Sequence, residues 1–208
     1  MNYIDFRAAL IDFKIFSITD VIKIFPDFDS KRLVEWQKKN YLRKIINKWY
    51  VFTETPVDEM LLYRISNCIY RPSYVSLETA LSFYGLIPEA VYSPQAISTR
   101  KTISYSTPVG TFCYRSIKAP LFFGYLVHHK DKLPVMIAEI EKALLDYLYL
   151  SAHIVSEKDI IALRFNYSEM QDKVDWKKLQ KYALVFESKT LDKRIKYLTK
   201  IFSDANPA

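Results

Sequence analysis

The apolar positions of the first fifty residues change period once, from helical to alternating. Over residues 3–13, Ile4, Phe6, Ala9, Leu10 and Phe13 read as one helix. Ser17, with Asp20 three residues on, predicts a capped helix start. That helix runs through Val21, Ile22 and Ile24 to Phe25, and Pro26 stops it. Asp29 or Ser30 caps a third helix that reaches about Asn40. At 100° per residue, Lys31, Arg32, Glu35, Lys38 and Lys39 of this helix fall within one arc of roughly 120°. Leu33, Val34 and Trp36 lie on the other side. The period then shortens. Residues 41–46 predict a strand, Asn47-Lys48 a turn, and Trp49-Tyr50-Val51-Phe52 a return strand.

Three helices followed by a basic β-hairpin is the order of a winged helix-turn-helix, predicted here for residues 1–55. A helix with an exposed basic face enters a major groove, where side chains reach base edges and phosphates. The expected DNA contacts are Ser30, Lys31, Arg32, Glu35, Lys38 and Lys39 on that helix. Arg43, Lys44 and Lys48 on the hairpin would hold the flanking backbone electrostatically.

Glu54-Thr55-Pro56-Val57 reads as a boundary, and residues 56–208 as a mixed α/β domain ending in helices. A helix from Asp58 to Tyr70 turns Met60, Leu61, Ile65, Cys68 and Ile69 inward, and Arg71-Pro72 breaks it. Ser76 caps a helix from Leu77 to Tyr84 that Gly85 ends. Residues 96–99 are strand-like, and alternating runs over 103–107 and 111–117 flank Pro108-Val109-Gly110 as a hairpin. Leu121 to Val127 predicts a further strand, and Val135 to Leu150 an amphipathic helix striped by Ile137, Ile140, Leu144, Leu145 and Leu148. Helices capped by Ser156 and Asp175 follow, then a last one from about Leu191 to Phe202. The expected fold class is α+β.

Composition narrows the function classes. Half of the 208 residues are apolar and a quarter charged, a globular balance. Three widely spaced glycines form neither G-x-G-x-x-G nor G-x-x-x-x-G-K-[ST], against a P-loop or dinucleotide-binding enzyme. Cys68 and Cys113 lie inside apolar patterns and read as reduced core residues. The first ten residues contain Asp5 and no long apolar run, and no stretch reaches the roughly 20 apolar residues of a membrane span. A soluble cytoplasmic protein without membrane attachment is expected. The net charge of +7 is unevenly placed. It is −1 over residues 1–27, +5 over 28–52, −3 over 53–97, +4 over 98–118, −3 over 119–172 and +5 over 173–208. Basic blocks separated by acidic ones suit a nucleic acid or an acidic protein partner. Arg100, Lys101, Arg115 and Lys118 of the second block have no acid among them, and are candidate contacts for either.

Residues 74–89, from Tyr74-Val75-Ser76-Leu77-Glu78 to Gly85-Leu86-Ile87-Pro88-Glu89, resemble a block of the AbiEi-type antitoxins. Ile97-Ser98-Thr99-Arg100-Lys101-Thr102 resembles that family's basic strand, residues 106–115 its following hairpin, and residues 138–146, with Glu141-Lys142 and Asp146, its next helix. The blocks keep the family's order and spacing over roughly residues 5–150. The resemblance implies an N-terminal winged helix-turn-helix joined to an antitoxin domain, repression of the protein's own promoter, and neutralisation of a nucleotidyltransferase-like toxin encoded beside it, in a type IV toxin–antitoxin system linked to abortive phage infection. By position it puts the reading helix at Lys31 to Lys39 and the wing at Arg43 to Lys48. The family commonly has Gly before the first wing strand and within the wing. This chain has Asn40 and Asn47-Lys48 there, and Asn tolerates left-handed backbone angles.

No catalytic constellation stands out, and no cofactor is expected. Adjacent His128 and His129 point to opposite faces of a strand and do not converge on a metal. Glu139, Glu141 and Lys142 lack the spacing of a nuclease cluster. Glu141 and Lys142 read instead as an exposed part of their helix, or as a local ion pair with Asp146. The toxin's own signature, Gly-Ser followed by paired Asp, is absent. A DNA-binding autorepressor and antitoxin is the first expectation. The alternative is a protein–protein adaptor with a winged-helix fold and no DNA binding.

Overall fold

The computed structural model describes residues 1–89, 91–130 and 133–205, and the fold is mixed α+β. The chain opens with α1 (Tyr3–Leu10), capped by Asn2, whose side chain accepts from the Asp5 amide at 2.9 Å. A 3-10 turn (Ile11–Phe13) leads into β1 (Ile15–Ser17), then α2 (Ile18–Ile24), α3 (Lys31–Lys38), β2 (Leu42–Ile46) and β3 (Trp49–Phe52). Ser17 and Asp20 form the expected reciprocal cap, with the Asp20 amide donating to Ser17 Oγ at 3.2 Å and the Ser17 amide to Asp20 Oδ2 at 2.8 Å. β1 is an element that the apolar pattern did not predict. At three residues it is too short to show a period, and it exists by pairing with β3, as in Phe16 opposite Tyr50. The antiparallel sheet has the order β1-β3-β2.

This sheet buries both faces. On one, Phe16, Leu42, Tyr50 and Phe52 pack with Phe6, Leu10, Val21, Leu33 and Trp36 from the three helices. Phe6 and Trp36 lie 4.5 Å apart by ring centroids at the centre. On the other, Ile15, Ile45 and Val51 join Leu61, Ile65 and Cys68 of α4 (Glu59–Ile69), together with Tyr70, Ala96, Phe112 and Tyr114. The β2–β3 register slips between Lys44 and Ile46, and the intervening Ile45 is turned to this second face. The residues before and after the 53–57 connection therefore share one apolar cluster.

The larger sheet has six strands in the order β6-β7-β5-β4-β9-β8. They are β4 (Ser73–Val75), β5 (Gln95–Ser98), β6 (Ile103–Thr107), β7 (Gly110–Ser116), β8 (Tyr125–Lys130) and β9 (Leu133–Ala138). β6–β7 is the expected hairpin, while β4–β9 and β5–β7 run parallel. Around it lie α5 (Leu77–Phe83), α6 (Ile140–Leu150), α7 (Glu157–Ala162), α8 (Tyr167–Lys173), α9 (Trp176–Phe186) and α10 (Lys189–Ala205). Two readings of the sequence are corrected. Val135 to Ala138 is not the first turn of a helix but strand β9, with β-branched Val135 and Ile137 buried beside β8 and β4; the helix begins after Glu139. The strand expected over Leu121 to Val127 begins only at Tyr125, as β8; Leu121 closes a 3-10 turn (Ala119–Leu121), and the chain reaches β8 through Gly124, at φ +68°. A Cβ there would stand 3.1 Å from Lys142 and Tyr182 side-chain carbons, a tight contact that adds to the strain of the left-handed backbone and favours glycine. Helix α8 was not predicted.

Cys68 is buried and Cys113 half-buried, and both are free thiols. Among the described residues no helix is long and apolar enough to cross a membrane.

Candidate nucleic-acid interface

Helix α3 is held by two side chains. Leu33 and Trp36 are 2% and 4% exposed. They lie 60° apart around the axis, and the rest of the circumference faces away from the core. Lys31, Glu35, Lys38 and Lys39 are exposed, and Arg32 is half-buried at the edge. Val34 does not join the inward side as expected. It sits only about 40° from Lys38 on the helical wheel, and is 53% exposed. Ser30 occupies the N-cap position without a side-chain bond, and Asp29 Oδ1 accepts from the Lys31 amide at 3.0 Å instead.

The end of α3 explains Asn40. The Tyr41 amide donates to the Trp36 carbonyl at 2.9 Å and the Asn40 amide to that of Gln37 at 3.0 Å, with Asn40 left-handed at φ 56°. This is the closing pattern that usually ends in glycine. It turns the chain from the basic helix directly into β2. In the hairpin the left-handed residue is Lys48, at φ 69°, rather than Asn47. Lys44 and Lys48 are exposed, while Arg43 is half-buried. Arg43 is paired with Val51 and Lys44 with Tyr50, so these two neighbours point to opposite faces. The helix cations thus form one surface, and the hairpin cations divide.

The second basic block also divides. Arg100, Lys101, Arg115 and Lys118 are all exposed. Arg115 reaches the C-terminal end of α6, donating to the Leu150 carbonyl at 3.2 Å, a helix-end contact that suits a cation. Lys118 stands at the head of the 3-10 turn. Arg100 lies on the hairpin side, 4.5 Å over the Tyr70 ring, and donates to the Arg71 carbonyl at 3.4 Å. The Lys101 carbonyl accepts from the Tyr70 hydroxyl at 2.8 Å. Arg71, read in the sequence only as a helix break, places its guanidinium 5.6 Å over the ring of Trp49, next to Lys48. Trp49–Arg71 and Tyr70–Arg100 are thus two ring–guanidinium pairs, joined through the adjacent residues Tyr70 and Arg71 and by the Arg100 bond to the Arg71 carbonyl. Among the described residues neither arginine pairs with a carboxylate. Ring stacking holds each in place, at about 0.5–1 kcal/mol, without neutralising its charge.

The acidic residues weighed for chemistry are engaged inside the fold. Glu141, Lys142 and Asp146 of α6 are 4%, 0% and 0% exposed, which overturns the exposed reading and leaves the ion pair with Asp146. Lys142 Nζ donates to Asp146 Oδ1 and, at 2.8 Å, to the Tyr74 hydroxyl. Asp146 Oδ2 accepts from Tyr74 and from Ser76 Oγ, both at 2.9 Å, so Ser76 serves this network rather than capping α5. Burial pushes Lys142 down and Asp146 up, against their mutual attraction. Glu139 accepts from Lys178 at 2.9 Å and Tyr182 at 2.6 Å. Burial alone would raise its carboxyl; these two donors hold it below the usual range. Glu139, Glu141 and Asp146 thus each have partners within the protein, Glu141 through the Asp175 amide at 3.0 Å and Lys178 at 3.2 Å. No family model matches the chain, and no curated protein matches it.

Proposed function

We propose that this chain is a winged helix-turn-helix protein that binds double-stranded DNA, represses its own promoter, and serves as the antitoxin to a nucleotidyltransferase-like toxin encoded nearby. It acts in the cytoplasm by binding and not by catalysis. The observation that carries the DNA reading is the basic face of α3, anchored by Leu33 and Trp36 and closed at Asn40 straight into a hairpin with Lys44 and Lys48. The order α1-β1-α2-α3-β2-β3, with the sheet order β1-β3-β2, supports it, because that is how a winged helix presents its third helix beside a hairpin. In this reading Lys31, Arg32, Lys38 and Lys39 meet the groove and its phosphates, and Lys44 and Lys48 the flanking backbone. The antitoxin role rests on the resemblance of residues 74–89 and 138–146 to AbiEi-type antitoxins.

The test is binding to the upstream region of the protein's own gene by fluorescence anisotropy, with Lys38→Glu as the variant. A phosphate-contacting lysine gives uniform weakening across sequences and a salt slope smaller by about one unit. Unchanged affinity would remove α3 from the interface. Absence of binding at low salt would leave the adaptor function in its place.

A further inference from the structure

Residues 74–89 have no part in the DNA reading, and Glu78, Leu81, Ile87 and Glu89 among them line a cleft. The cleft measures about 500 Å3 and lies between α5, the segment after it, Tyr147 of α6 and the end of α7. Leu81, Ile87, Leu163 and Phe165 supply apolar wall, and Glu78 and Glu89 supply carboxylates. That size and lining are those of a small-molecule site. Its charge is the reverse of the chain's. Among the described residues no Lys, Arg or His lines it, within a protein of net charge +7.

The two carboxylates differ. Glu89 is paired with Arg164 at the rim. Glu78 is half-buried, and no cation among the described residues pairs with it. Its charge reaches Tyr147, whose hydroxyl burial pushes up to about 12, with Glu78 adding to the rise. A carboxylate set in an apolar cleft offers a counter-charge to a cation that enters it. An anionic ligand would be repelled by the same group, and a neutral one would leave it unmet.

We propose that this cleft binds a small organic cation, its ammonium group against Glu78 and its apolar body against Leu81, Ile87, Leu163 and Phe165. The site is separate from the basic surface, so the proposal does not depend on DNA binding.

The experiment is calorimetry on the full chain with three probes of one shape: 3-phenylpropylamine, 3-phenylpropanol and 3-phenylpropionate. The amine is expected to bind saturably, the alcohol at least tenfold more weakly, and the carboxylate not at all. Glu78→Gln should weaken the amine at least tenfold. Ala162→Trp, which fills the exposed mouth of the cleft, should abolish binding. Both variants should keep the wild-type circular dichroism spectrum and DNA affinity. Equal binding of the three probes, no binding of the amine, or wild-type affinity for the amine in folded Glu78→Gln would each overturn the proposal.

Discussion

Replacing Asp146 with Asn tests the interior of the larger unit most sharply. The substitution keeps the shape and one carbonyl oxygen, but removes the counter-charge that Lys142, whose side chain is 0% exposed, has among the described residues. The Nζ of Lys142 would keep its bond to the Tyr74 hydroxyl, and three aromatic rings whose centroids lie between 5.1 and 5.4 Å from it. Neither replaces a carboxylate in a desolvated site. Breaking one side of a buried pair destabilises by about 3–5 kcal/mol, a large part of the roughly 5–15 kcal/mol that holds a domain folded. With a urea m-value of about 2–3 kcal/mol/M, the unfolding midpoint should fall by about 1–2.5 M. The assay is urea unfolding at pH 7 followed by circular dichroism, for Asp146→Asn, Lys142→Met and the double variant. The double variant should lose at least about 2 kcal/mol less than the sum of the singles, because it leaves no lone charge behind. A loss below about 1 kcal/mol for the single, or strict additivity, would refute a buried, mutually dependent pair.

Two further outcomes follow from local geometry. Lys48→Gly relieves a left-handed lysine, and should raise stability by about 0.5–1 kcal/mol after the extra freedom of the unfolded chain is counted, while weakening DNA binding; a lower urea midpoint would contradict the turn geometry. Glu139→Gln should destabilise by about 1 kcal/mol at pH 7. The folded Glu139 carboxyl lies below its unfolded value, so its contribution is present above the ordinary carboxyl pKa of about 4.3 and is lost as pH falls through the folded value. The gap between wild type and Glu139→Gln should therefore narrow as pH falls below about 4.3, and a gap independent of pH would show that the carboxylate charge is not involved.

How much of this was legible in the sequence depended on the range of the signal. Helix α3 was legible because Leu33 and Trp36, the basic arc and the cap all lie within ten residues, and the hairpin because its alternation and turn are contiguous. Strand β1 was not, since three residues carry no period and its reason for existing is β3, over thirty residues away. Val135 to Ala138 joined a helical stripe because Ile137 continues the spacing of Ile140 and Leu144. Only the neighbouring strands reveal it as sheet. The i, i+4 spacing of Lys142 and Asp146 made a local ion pair readable. Its burial was not, because Tyr74 and Ser76 arrive from about seventy residues upstream. Arg71 was hidden for the same reason. Beside Pro72 it reads as a helix end, and its stacking on Trp49 spans residues with no pattern in common.

The salt dependence of DNA binding tests the central claim most directly. Association with the gene's own upstream duplex should weaken steeply between 50 and 200 mM salt. A plot of log K against log salt should fall by about 0.9 for each phosphate contact, giving a slope near −5 if the four helix cations and the two exposed hairpin lysines each meet a phosphate. Binding that is absent at low salt, or present with a slope near zero, would contradict the account.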